Sequence, residues 1–301
     1  MLALVVGSGC ADILDIPDAP ALIGVDAWEC EPAEADPVAP KPDRAMVRVH
    51  ACNFITSNCS MPVTGLTASL CNKLDYNCNM PIQSGMQQDV NGDFMFEVPT
   101  TGSLGKGFDG YLLVKAKTEL CTNTAAFGTG EACALAPMCT VSAPDEKCAL
   151  PTFSTAVLFF NPPIVSDVVT PIVLPMVPSL AGDALVKAAG AQGIEDRSLG
   201  VVFVTGLDCA GNPAAGLTYT SSPIPPKFGA VYQAEGVVSA TATETDESGL
   251  GGLLGIPAGF VMVKAYAGGR EVASVGAQVL PYAISYVTLS PLAPSANKPG
   301  N

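Results

Sequence analysis

Residues 208–220 read DCAGNPAAGLTYT, and residues 243–265 read TETDESGLGGLLGIPAGFVMVKA. Together with the spacer between them they spell a strand, a variable connection, a Gly-rich turn and a strand that ends in Val-Lys-Ala. A looser copy lies between Val47 and Ala116. Each copy has a β-rich opener (MVRVHAC from Met46, VVFVTGLDC from Val201) and then Gly-Leu-Thr, at 65–67 and 216–218. An Asp-containing turn (DVNGD, TDESG), a proline (Pro99, Pro257) and a closing strand (YLLVKA, FVMVKA) follow in the same order. That shared order predicts a duplication.

Working outward, MVRVHAC alternates Val47, Val49 and Ala51 against Arg48 and His50, which predicts a strand with one wet face. His50 is the sole histidine. No acid sits beside it in sequence, so it is expected as a solvent-face residue rather than a catalytic base. GLTASLC (65–71) is a second strand. Asn91-Gly92 is a hairpin signal, with Phe94, Phe96 and Val98 alternating behind it. Asp89-x-Asn91-Gly92-Asp93 lacks the glycine position and terminal glutamate of an EF-hand and is read as a turn. The apolar run 156–177 is interrupted by Pro162, Pro163, Pro171, Pro175 and Asp167, so it predicts buried edge strands and turns rather than a membrane span. Residues 179–197 carry a Ser cap, helix formers and Gly190, predicting one short helix and linker between the two units.

The 301 residues carry 14 Lys and Arg against 28 Asp and Glu, a net charge of −14. Such a balance excludes nucleic acid as a partner class, because phosphate binding needs clustered cations. Hydrophobic residues make up 49%, ample for a core, and 30 glycines with 26 prolines favour many short strands. Eleven cysteines accompany one histidine. The C-x2-C spacing of a zinc site never occurs, so no metal or other cofactor is expected and disulfides in an exported protein are. The disulfide candidates are Cys52, Cys59, Cys71, Cys78, Cys121, Cys133, Cys139, Cys148, Cys30 and Cys209. Local closure is plausible for 52–59 and 71–78, and for 121–133 and 139–148 inside a Cys-rich insertion (119–150). Spacing does not dictate connectivity. Cys30 and Cys209 are the pair left once local bridges are assigned.

MLALVVGSGC, residues 1–10, resembles the end of a bacterial lipoprotein signal peptide, with Cys10 as the lipidated residue. Gly7 stands where a large aliphatic residue is usual, and no basic residue precedes the apolar run. Residues 11–45 hold nine acidic residues against Lys41 and Arg44, with prolines at 17, 20, 32, 37, 40 and 42. They predict an extended acidic tether in which only Trp28 and Cys30 have reason to dock on a core.

The pattern Thr243-x-Thr245-Asp246-x-x-Gly249-x-Gly251-Gly252, with Pro257-x-Gly259 and Val263 beyond it, resembles the carboxypeptidase regulatory-like, or transthyretin-like, domain. The resemblance implies an all-β chain of two Greek-key β-sandwiches, at 46–178 and 198–293, with residues 294–301 a disordered tail. The whole further resembles bacterial envelope lipoproteins. It is nearly silent on activity, and no zinc catalytic domain accompanies it. None of the common catalytic motifs is present and no catalytic residue is assigned. The expectation is a non-catalytic, lipid-anchored envelope protein, in the outer membrane if Ala11 follows the usual sorting rule, with a structural or adhesion role. The alternative is a secreted or surface module binding a glycan or protein through a loop carrying Tyr219, Phe228 and Tyr232.

Overall fold

The computed structural model describes Trp28, Cys30 and residues 42–54, 61–101, 107–116, 118–121, 148–151, 153–178, 198–225, 229–234, 237–239 and 241–291. Expectations for Cys10, Cys59, Cys133, Cys139, Phe228, the helix at 179–197 and the carboxy-terminal tail lie outside them, as does most of the tether. The described residues are all-β. In the first half, β1 (Arg44–Asn53), β2 (Leu66–Cys71), β3 (Gln83–Gln87), β4 (Asp93–Pro99) and β5 (Tyr111–Ala116) lead into a small antiparallel pair. That pair, β6 (Thr118–Cys121) and β7 (Cys148–Pro151), brackets the Cys-rich insertion with Cys121 and Cys148 in register. β8 (Thr155–Phe159) and β9 (Ile172–Met176) complete the unit. The second half comprises β10 (Leu199–Gly206), β11 (Leu217–Ser222), β12 (Gly229–Ala234), β13 (Val237–Ser239), β14 (Leu250–Pro257), β15 (Gly259–Ala267), β16 (Arg270–Val279) and β17 (Ala283–Leu289).

The two halves repeat one topology. β1 pairs antiparallel with β4 and parallel with β9, as β10 does with β14 and β17. β2-β5-β8 and β11-β15-β16 are all-antiparallel runs facing those strands. The repeat reaches individual hydrogen bonds. Leu66 N donates to Gln88 Oε1 (2.9 Å), and Gln88 Nε2 donates to Val63 O (2.8 Å). In the second unit Leu217 N donates to Thr245 Oγ1 (3.0 Å), which donates to Ala214 O (2.8 Å). Around these knots, Val63 N meets Ala51 O as Ala214 N meets Gly206 O, and Gly92 N meets Asp89 O as Gly249 N meets Asp246 O. Gly65 and Gly216 both have φ 77°. The Val-Lys-Ala segments are offset by two: Thr67 is opposite Lys115, whereas Thr220 is opposite Lys264. An even slip keeps every side chain on its own face.

The turn at Asn91-Gly92 forms, with Gly92 at φ 84°, but it is not a hairpin. β3 before it pairs with β2 and β4 after it pairs with β1, so the chain crosses from one sheet to the other. The Gln88 knot holds that crossing, and backbone signals alone do not distinguish an arch from a hairpin.

The two units are joined edge to edge. β8 pairs in parallel with β17, from Thr155 opposite Ala283 to Leu158 opposite Tyr286. One nine-stranded sheet results, in the order β13-β12-β14-β10-β17-β8-β5-β2-β3. Leu112, Val114, Ala156 and Leu158 enter a core with β1, β4 and β9; Tyr111, Leu113, Val157 and Phe159 enter the other core, with β11, β15 and β16. The three-stranded sheets therefore cover opposite faces of the long sheet, and β5 and β8 are buried on both sides. β8 is thus an interior strand, not an edge: its residues end before Pro162 and Pro163, which act only on the turn that follows. β9, which contains Pro175, does lie at an edge. Each large side chain removed from water contributes roughly 1.5–3 kcal/mol, so double-sided β5 and β8 are where truncation costs most.

Trp28 is 3% exposed and belongs to the second core. Two residues on, Cys30 is disulfide-bonded to Cys209, in the turn after β10, with Cα atoms 5.2 Å apart. Cys71 and Cys78 form a second disulfide, and Cys52 is also disulfide-bonded. No helix among the described residues is long and apolar enough to cross a membrane.

Candidate functional site

Because β4-β1-β9 covers only part of the long sheet, its margin forms a step down to the bare face of β17, β10 and β14. A groove of about 280 Å³ lies along this step. Phe203 and Tyr286 form the floor, their ring centroids 5.6 Å apart, and Phe54 stacks on Phe203 at 5.7 Å with an interplanar angle of 11°. Val173 and Pro175 of β9 make the near wall, and Val238 of β13 the far one. A Cβ on Gly252 would lie 3.1 Å from Phe203 and 3.0 Å from Val231, so the missing side chain lets those groups lie close on the backbone. Among the described residues, no charged side chain lines the groove. Tyr286 donates its hydroxyl to Pro175 O, and burial of that hydroxyl raises its pKa, the side chain as a whole being partly buried. Pro175 has no N–H and its carbonyl is taken, so this margin is a poor template for an added strand. What the groove can recognise is an uncharged, largely apolar surface.

On the outer face of β1, the carboxylate of Asp93 is 1% exposed and carries two bases. Arg48 Nε donates at 2.7 Å, with Nη2 on the same oxygen, and His50 Nδ1 lies 2.6 Å from the other oxygen. β1–β4 register places His50 opposite Asp93. His50 is therefore on the solvent side of its strand but half-buried and locked to an acid 43 residues away. Among the described residues Nε2 has no partner, as in a base oriented for catalysis. Among the described residues, however, His50 hydrogen-bonds to Asp93 and to no hydroxyl or thiol. The cluster balances a buried carboxylate. Next to it, Asp89 accepts the N–H groups of Asp93 (2.9 Å) and Asn91 (2.8 Å), which hold its carboxyl below the usual pKa. Among the described residues no group of three or more His, Cys, Asp or Glu is placed to hold a metal.

A third feature is the loop closed by Cys71–Cys78. Asp75 accepts from Asn79 N (2.9 Å) and Met80 N (2.7 Å), and Tyr111 donates its hydroxyl to Asp75 O. Burial, and then the charge of Asp75, push the Tyr111 pKa up to about 12. The loop displays Leu74 (80% exposed), Met80 (79%) follows just beyond Cys78, and Tyr76 packs on Phe260 with centroids 6.4 Å apart.

Tyr219 and Tyr232, expected on a ligand loop, lie on β11 and β12 and are buried. Tyr219 donates to Gly249 O (2.6 Å), its N–H donates to Tyr232 Oη (3.0 Å), and the rings are 5.9 Å apart. With both hydroxyls partnered inside the fold, these rings are core; only Tyr232 also borders the groove. The groove's own aromatics were missed. For Phe203 a signal exists: the unbroken apolar run VVFV at 201–204 puts apolar side chains on both faces of β10, and one of those faces is only partly covered. Phe54 and Tyr286 carry no such local signal.

No family model matches the chain, and no curated protein does. Similar solved structures include the Bacillus anthracis TIE protein, at 11% identity and TM-score 0.21, covering 82% of this chain and 34% of that one. The chain thus spans about a third of the length of that protein. The Streptococcal ancillary pilin is 10% identical at TM-score 0.22, covering 82% and 68% of the two chains. The shaft pilin SpaA from Lactobacillus rhamnosus GG is 10% identical at TM-score 0.21, covering 83% and 98%. Likeness at this level fixes neither a partner nor an activity.

Proposed function

We propose that this chain is an exported, non-catalytic cell-envelope protein that holds two carboxypeptidase regulatory-like sandwiches off a membrane and presents their loops. The observation that carries the reading is the Cys30–Cys209 bond with Trp28 buried beside it. A disulfide between residues so distant in sequence suits an oxidising compartment, and it makes the amino-terminal segment a fixed mount rather than a loose leader. The hydrogen-bond knot repeated in both units supports a duplication within the chain. In this reading Cys10 carries the lipid and residues 11–27 span the gap to the docked Trp28. The test compares wild type with Cys10→Ala, expressed from the complete gene, by membrane fractionation and intact mass. Added mass of lipid size and membrane retention, both lost in the variant, are the expected outcome; two soluble, unmodified proteins would overturn the anchor.

A second reading rests on the groove: a surface module that binds an uncharged ligand, either a glycan face or an apolar peptide. Pull-down from glycan and peptide libraries with wild type and Phe203→Ala tests it. Retention that the variant loses supports this reading, and retention of nothing by the wild type removes it.

A further inference from the structure

We infer that the Cys30–Cys209 bond takes the whole first sandwich out of the line of force when the chain is held through its amino-terminal segment and loaded at its carboxy terminus. The inference is one of covalent topology and holds whatever anchors the amino terminus. Residues 31–208 form a loop closed by the disulfide, which joins positions 179 apart. β1, where the first sandwich begins, starts at Arg44 and so lies inside that loop. Tension arriving along the backbone from the amino terminus therefore crosses from Cys30 to Cys209, so the covalent path bypasses β1 to β10 and the first unit is loaded only through the pairing of β17 with β8. The Asp93 cluster and the 71–78 loop lie within that bypassed span.

The same geometry says what does yield. Trp28 precedes Cys30 and lies on the loaded side, so it is drawn from the second core before the disulfide takes the strain. Beyond Cys209 the load runs through residues 210–289. Its exit, the end of β17, lies beside its entry: Gly206 is in register with Leu289, and Leu207 N donates to Leu289 O at 2.8 Å. Two forces diverging from neighbouring strand ends break a ladder one bond at a time. β17 is peeled from β10 starting at Leu289, which also opens its pairing with β8, while the span of residues 31–208 stays closed by its disulfide and releases no length.

The test stretches the full-length protein between handles at its two ends. Oxidised wild type is expected to release the length of residues 210–289, about 270 Å at roughly 3.4 Å per residue. Reductant in the same trace, or Cys30→Ser without reductant, is expected to add up to about 600 Å from the span the bond had enclosed, at the same rise. Trp28 fluorescence should change at lower force than the first large extension. Oxidised wild type that releases the enclosed span without reductant would overturn the inference, as would reductant adding no length. Should Cys30→Ser fail to fold, wild type with and without reductant decides alone.

Discussion

Asp93 has two basic partners and almost no contact with water, so its removal strands Arg48 and His50 and its replacement must be felt. Arg48 is 43% exposed, which softens the loss relative to a fully buried pair. Asp93→Ala should cost about 3 kcal/mol in urea unfolding; a loss near zero would mean that the carboxylate contributes nothing net. The tyrosines set the alkaline limit. Tyr111 has its pKa raised from 10.0 to about 12, and burial raises Tyr219, Tyr232 and Tyr286 as well. A folded pKa above the unfolded one means that stability is whole below pH 10 and is lost as pH climbs through the folded value. Tyrosinate absorbance should therefore rise late and steeply, together with unfolding, above pH 10. Smooth titration of all the tyrosines centred on pH 10 would contradict this. Of these residues, alternation in MVRVHAC placed Arg48 and His50 on one face, but the acid that fixes them is set by β1–β4 register, which no local pattern encodes.

Among elements, the knots are the test of the repeat. Thr245→Val keeps shape but leaves Leu217 N–H and Ala214 C=O buried without partners, at about 2–4 kcal/mol. Gln88→Ala removes the equivalent contacts in the first unit, where the site is half-buried, and should cost about 1–2 kcal/mol. Thermal or denaturant unfolding checks both; a neutral Thr245→Val would show the likeness to be decorative. The strands themselves were readable where alternation is strict, as in β1, β4 and β11. β12 and β13 fall where the sequence predicts a variable loop. β8 was misplaced at an edge because prolines just beyond its end coloured the whole run. Neither knot was visible as a contact, since Gln88 and Thr245 act on backbone groups 22 and 28 residues away.

At the scale of the molecule, the halves have separate entrances but no separate sheets. β8 and β17 each pair with a strand along both edges, and Phe159 shares a core with Val287. Unfolding by denaturant should be a single transition, with Trp28 fluorescence and far-ultraviolet circular dichroism superimposing; two resolved transitions would show the sandwiches to be independent. Nothing in either short apolar run marks the other as its partner, so this joint was beyond reading from sequence. Its form has a further consequence. It links unlike margins: β8 belongs to one sheet type of its unit and β17 to the other. A head-to-tail contact of that kind does not close on itself, and repeated between molecules it grows a filament. The growing end would be the first unit's counterpart of β17. There the residues equivalent to 283–286 are 168–171, which form no strand and finish in Pro171, and beyond them Pro175 has spent its carbonyl on Tyr286. The contact is used once within the chain, and two prolines terminate the polymer at its first link.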